Sequence, residues 1–288
     1  MIKFILILLL PFLFTGLINK LKAVFVGKKG ASIFQQYYDF IKLVQKGEVF
    51  STTSSFVFQL APAINLVCTL LAAIIVVLWH FEGDFILFAY ILALGKFLSV
   101  IAAMDTGSSF EGMGASREVS YTSFVEPAFF IIISSIAALK GIYSFESLFS
   151  LFGIQTSLIS FIVVAVLFMM ILIEGSRTPI DDPKTHLELT MIHEVMVLDN
   201  SGVDLAFINY ASALKMLIFS TIIGAIFFGN SILGYLVVYI LTALAIAIIE
   251  TIGARIRLTH IIEYTFIMIS LALVVMSLVL SSLFKGGF

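Results

Sequence analysis

Carboxylates set inside or beside long apolar runs are the first candidates for chemistry in this 288-residue sequence. In hydrocarbon a carboxylate must be paired, hydrated or protonated, so each one is either structural or proton-handling. Gly114-Ala115-Ser116-Arg117-Glu118-Val119-Ser120-Tyr121 leads into an apolar run that carries Glu126-Pro127. Taken alone, Arg117 and Glu118 form a solvated linker pair. Glu126 lies deeper, where it is either capped by a polar neighbour near the interface or carries protons or pairs with a partner.

The densest charge falls between Glu174 and Gly202, with Glu174, Arg177, Asp181, Asp182, Lys184, His186, Glu188, His193, Glu194 and Asp199. Pro179 and Pro183 forbid a continuous helix through 177–183, while Asp182-Pro183 predicts a new helix running toward Met196, with His186 and His193 on one face. Such a charge run is ordinarily a solvated loop. Its alternation with Leu187, Leu189, Met191 and Ile192 also fits a segment half buried under a partner. Glu250, Arg255 and Arg257 form a further set, in which Glu250, near the end of an apolar run, pairs most cheaply with an arginine.

Metal chemistry finds little support. Zinc sites on one helix prefer histidines four apart and need a third ligand, and His193-Glu194 is followed by Val197 where a metalloprotease needs histidine. Cys68 is the single cysteine, which excludes an intramolecular disulfide and a thiolate-bound cluster. His80, His186, His193 and His260 are not spaced as facing mid-membrane haem ligands. The chain is therefore expected to hold no metal or cofactor of its own.

The elements that must position these residues are membrane spans. Hydrophobic residues make up 61% of the sequence and charged residues 12%, with mean hydropathy +1.15, far from the balance of soluble domains. A span needs about 20 mostly apolar residues. Segments 2–22, 56–79, 85–104, 121–139, 155–173, 207–228, 231–252 and 261–284 qualify, predicting an all-α polytopic protein with about eight transmembrane helices in a single domain, 1–288. Residues 1–17 lack a small-residue cleavage site and are expected to be a retained first span.

Lys20, Lys22, Lys28, Lys29, Lys42, Lys46, Arg117, Arg177, Lys184, Arg255 and Arg257 fall in the odd-numbered linkers, whereas the ends and even-numbered linkers hold Lys3, Lys140 and Lys285. The positive-inside rule then makes linkers 23–55, 105–120, 174–206 and 253–260 cytoplasmic and both termini external, in a cell inner membrane. Lys96 and Lys215 remain within or next to spans. In the first linker Phe34, Tyr37, Tyr38, Ile41 and Val44 recur at helical spacing opposite Gln35, Asp39, Lys42 and Lys46, predicting an amphipathic helix that is an interfacial anchor or a docking element. No internal repeat supports a duplicated transporter.

The stretch Glu174 to Gly202 closely resembles the signature of the membrane-anchor subunit of group 4 membrane-bound nickel–iron hydrogenases, of the formate hydrogenlyase and energy-converting type, which is homologous to a membrane subunit of complex I. That family joins Glu-x-x-Arg-x-Pro-x-Asp to Thr-His-Leu-Glu-Leu-Thr-Met-x-His-Glu, which Thr185 to Glu194 matches. Gly30 to Leu43, with Ala31 in place of proline, Ser116 to Pro127, and Ala254-Arg255-Ile256-Arg257 are similar as well. The complex I homologue lacks the His193-Glu194 insertion, which favours the hydrogenase branch.

The resemblance implies a non-catalytic subunit that anchors the peripheral hydrogenase and couples its redox chemistry to proton or sodium movement. Its nickel–iron centre and iron–sulfur clusters belong to the hydrogenase large and small subunits and an iron–sulfur subunit. Antiporter-like membrane subunits and the lipid bilayer are further implied partners; nucleic acid is not. Glu174, Arg177, Asp181, Glu188 and Glu194 match that family's acidic funnel; with Glu118, Glu126, Asp182, His193, Asp199, Glu250, Arg255 and Arg257 they make the expected charged funnel, and Tyr37, Tyr38, Asp39, Lys42, His186, Leu189 and Ile192 are the expected docking residues. Two other functions compete: a quinone-site subunit of the complex I type, and a stand-alone ion carrier.

Overall fold

A computed structural model describes residues 2–51, 53–78, 81–149, 157–181, 191–254 and 256–286. It is all-helical, with no strand among the described residues. The helices are α1 (Ile2–Leu9), α2 (Pro11–Phe25), α3 (Gln35–Val44), α4 (Phe56–Val77), α5 (Asp84–Asp105), α6 (Ser109–Lys140), α7 (Ser157–Glu174), α8 (Gly202–Phe228), α9 (Ile232–Ile252) and α10 (Leu258–Gly286). Six of them, α4, α5, α6, α8, α9 and α10, are long and apolar enough to cross a bilayer, and α7 contributes the shorter apolar helix Leu158–Glu174.

The expected first span is two helices. Pro11 has no N–H to extend α1 and its fixed φ suits a first helical position, so α2 starts there. The break frees carbonyls at the end of α1. The Tyr210 hydroxyl donates to the Leu8 carbonyl at 2.7 Å, and the Tyr37 hydroxyl donates to that of Leu9. These bonds tie α1 to both α8 and α3.

The third expected linker, 105–120, is mostly helix. After Thr106-Gly107-Ser108 the chain enters α6, whose 32 residues span about 48 Å, well beyond the roughly 30 Å of a hydrocarbon core. Glu111, Arg117 and Glu118 therefore sit on a continuous helix rather than a loop. Gly141, at φ 66° in the left-handed region, ends it.

α8 forms the centre: 83% of its most apolar window is buried, against 22% to 50% in the other candidate spans. Phe219 of α8 meets Phe88 and Phe129 in an aromatic cluster closed by Phe145, whose ring stands edge-on to Phe88 at 5.2 Å. α10 lies at the periphery, packed on α6 and α7.

The helix expected to run toward Met196 is not observed in its described part. From Met191 the chain bends and makes only a 3-10 turn, Glu194–Val197. Asp182, His186, Glu188 and Leu189 lie outside the described residues, as does Arg255.

Candidate charged site

Four membrane helices contribute one buried network. Glu174 closes α7, and its carboxylate accepts from the Lys96 ammonium of α5 at 2.5 Å, while Lys215 of α8 approaches its other oxygen at 3.7 Å. Lys96 also reaches Glu118 of α6 at 3.3 Å. All four side chains are at most 14% exposed. The order Glu118–Lys96–Glu174–Lys215 alternates in sign, which is what makes burial tolerable: removing one partner from such a pair costs about 3–5 kcal/mol.

Glu126 adjoins this network without joining it. It makes no ion pair among the described residues, and it lines, with Lys96 and Ala93, both a groove of about 310 Å³ between α5 and α6 and a smaller cavity of about 40 Å³ that reaches Glu174. Seventeen residues, about 25 Å, separate it from the start of α6 at Ser109. Glu126 itself is half-buried, its exposed part facing the groove.

A second cluster forms around Glu250 at the end of α9. Arg177 and Lys22 approach its two oxygens at 3.3 Å and 3.1 Å. One arginine at Glu250 thus comes from the Glu174 loop, while Arg257 is exposed. That loop is held locally: Arg177 N–H donates to the Leu172 carbonyl, Ser176 adopts φ 50°, and the Pro179 carbonyl accepts from Ile256 N–H at 2.9 Å.

Asp181 of the expected funnel, and Arg117 and Glu111 outside it, fasten segments. Asp181, 1% exposed, accepts from the backbone N–H of both Ile192 and His193 at 3.1 Å and 3.0 Å, folding the chain after Met191 back onto the loop. Arg117 donates to the Met191 carbonyl at 2.7 Å, so it is no solvated linker residue. Glu111, fully buried, accepts from Asp199 N–H at 3.0 Å, while Asp199 itself is exposed. His193 and Glu194 face a cavity of about 230 Å³ bounded by α2, α3, α8 and the loop, together with Asn19, Gln36, Arg177 and Asn209.

Among the expected docking residues, Tyr38 and Lys42 are exposed on α3, whereas Tyr37 packs edge-on against Phe12 at 5.3 Å and Asp39 accepts from the Gln35 amide at 2.8 Å. Ile192 offers no surface to a partner: it is 3% exposed, inside the main core. Lys96, Lys215, Lys22 and Glu111 are site residues absent from the expected funnel. The signal for the first two was present, since a lysine within an apolar run of span length demands a buried counter-charge.

Among the described residues no three histidines, cysteines or acids are placed to hold a metal ion. Ion pairs thus link four helices of the bundle. The NADH dehydrogenase family model matches residues 1–282. The chain belongs to this family. Within it, hydrogenase-4 component C of Escherichia coli K12 is 29% identical over 289 residues, covering 93% of this chain and 91% of that protein. Formate hydrogenlyase subunit 4 of the same organism is 26% identical, covering 72% and 69%. NADH-ubiquinone oxidoreductase chain 1 of Aedes aegypti is 26% identical, covering 74% and 69%. The fold is shared with a chain of the membrane-bound sulfane sulfur reductase, an archaeal respiratory membrane complex, at TM-score 0.76 and 16% identity over 96% of this chain and 97% of that one.

Proposed function

We propose that this chain is the non-catalytic membrane subunit of an energy-converting hydrogenase complex, which anchors a peripheral nickel–iron hydrogenase and couples its turnover to proton or sodium translocation. The alternating buried chain Glu118–Lys96–Glu174–Lys215, with Glu126 beside Lys96 but outside the ion pairs, carries this reading. In a dry setting the energy of each ion pair depends steeply on its neighbours' charge. A change of charge or position where a peripheral subunit touches the loop after Glu174 would be felt at Lys96, and Glu126 is placed to take up or release the compensating proton. The similarity to hydrogenase-4 component C over nearly the full length of both chains supports the hydrogenase branch.

The cavity of about 230 Å³ under Arg177 and His193 is the observation that favours a second reading, a quinone site of the complex I type. Its polar residues, among them Asn19, Gln36, Glu194, Asn209 and Ser212, suit water better than a prenyl chain.

Copurification separates these readings from a stand-alone ion carrier. Affinity-tagged chain, solubilised mildly, is expected to bring down nickel and iron with hydrogenase activity. Iron without nickel, together with quinone reductase activity, would point to the complex I type, and a metal-free preparation to a carrier.

A further inference from the structure

The surface of α3 and the turn before it is not explained by coupling. The chain leaves α2 through Val24, Phe25 and Val26, which are 57%, 45% and 55% exposed. It then passes Lys28 and Lys29 and enters α3, whose inward side is Gln36, Phe40 and Leu43. The outward side is Phe34, Tyr38 and Ile41, each at least 50% exposed. At 100° per residue these three lie within about 60° of one another, and Lys42 stands at their edge. Lys46 follows in the next turn of chain. Lys28, Lys29, Lys42 and Lys46 are all exposed. Two nearby lysines are already engaged: Lys22 holds Glu250, and Lys20 donates to the Lys29 carbonyl at 2.6 Å, fixing the turn that displays Lys28 and Lys29. Asp39 is taken up by Gln35, leaving Glu48 as the nearest exposed acid in sequence.

We infer that this face is a binding surface for anionic phospholipid: Phe34, Tyr38 and Ile41 enter the acyl region while Lys28, Lys29, Lys42 and Lys46 gather headgroup phosphates. Three observations select lipid over a protein partner. The patch follows in the chain from the end of α2, a helix of the membrane bundle whose Val24, Phe25 and Val26 are exposed as well. Its charge lies on the rim and not in its centre, as in helices that lie in the interface. That rim is cationic, complementary to phosphodiester groups and to the negative surface of a leaflet. A lysine stem is apolar enough to lie along such a patch while its ammonium group stays at headgroup level. The inference does not depend on which complex the chain serves.

The test uses the full chain in neutral detergent, titrated with phosphatidylglycerol or phosphatidylcholine and read by native mass spectrometry. The parent is expected to retain phosphatidylglycerol at least about tenfold better than phosphatidylcholine. Combined Lys28→Gln, Lys29→Gln, Lys42→Gln and Lys46→Gln should bring that ratio close to unity. Glycerol phosphate, carrying the same anion without acyl chains, should not compete. Combined Phe34→Ser, Tyr38→Ser and Ile41→Ser should lower retention of both lipids. A parent without preference, or a lysine variant that keeps it, overturns the inference. So does competition by glycerol phosphate, which would mark a plain anion site. Should the lysine variant keep its lipid preference and instead release a peripheral subunit from membranes, the face is a protein-docking surface.

Discussion

Lys96 holds two carboxylates that would otherwise repel each other across the α5–α6–α7 contact. Lys96→Met leaves Glu174 and Glu118 facing each other in a dry site, with Lys215 at 3.7 Å as the remaining nearby cation. The expected cost is about 3–5 kcal/mol, read as a lower midpoint of thermal unfolding in detergent. Lys22→Met is the contrasting case. Glu250 keeps Arg177, and Lys22 is 25% exposed, so the loss should stay near 1 kcal/mol. The reverse ranking would contradict the assigned geometry. At this scale the sequence was half legible: a carboxylate beside an apolar run is conspicuous, and Glu126, Glu174 and Glu250 stood out for that reason, whereas Glu118 read alone as part of a solvated linker pair. Their partners were not legible, because Lys96 and Glu174 lie 78 residues apart and become neighbours only through the packing of α6 against both α5 and α7.

Elements position these residues through a few close approaches. Gly114 of α6 is one of them. A Cβ there would meet the Val195 side chain at 2.4 Å and the Ile192 carbonyl at 2.9 Å, so the 191–197 segment lies directly on the α6 backbone. Gly114→Val should push that segment away and loosen the Arg117 bond to the Met191 carbonyl. Hydrogen exchange at the amides of Val195 and Met196 is expected to rise while that of α8 stays slow; unchanged exchange would show that the contact is dispensable. Apolar run length made α4, α5, α8 and α9 legible, and the period of Phe34, Tyr38 and Ile41 did the same for α3. The start of α6 was not, since Gly112, Gly114, Ser116 and Arg117 have the composition of a linker. Helix there is stabilised by tertiary contact, not by propensity.

For the molecule as a whole, the distribution of Lys and Arg predicts that the loop holding Ser32 faces the cytoplasm. Cysteine at Ser32 should react with an impermeant thiol reagent only in inverted vesicles. Labelling in intact cells stripped of their outer layer would reverse the topology. In that orientation the Glu174 loop and the 191–197 segment share the face on which the proposed hydrogenase would dock, and the buried ion pairs begin at Glu174 beside it. The central claim is that these pairs transmit redox turnover to ion movement, and Glu174 is where the network branches. The most direct measurement is hydrogen turnover and ion uptake recorded together in inverted vesicles carrying Glu174→Gln. The swap keeps size and removes the charge that both lysines approach. Hydrogenase activity should stay on the membrane at a reduced rate, while ions moved per hydrogen fall to near zero. An unchanged ratio of ions to hydrogen, whatever the rate, would contradict the account.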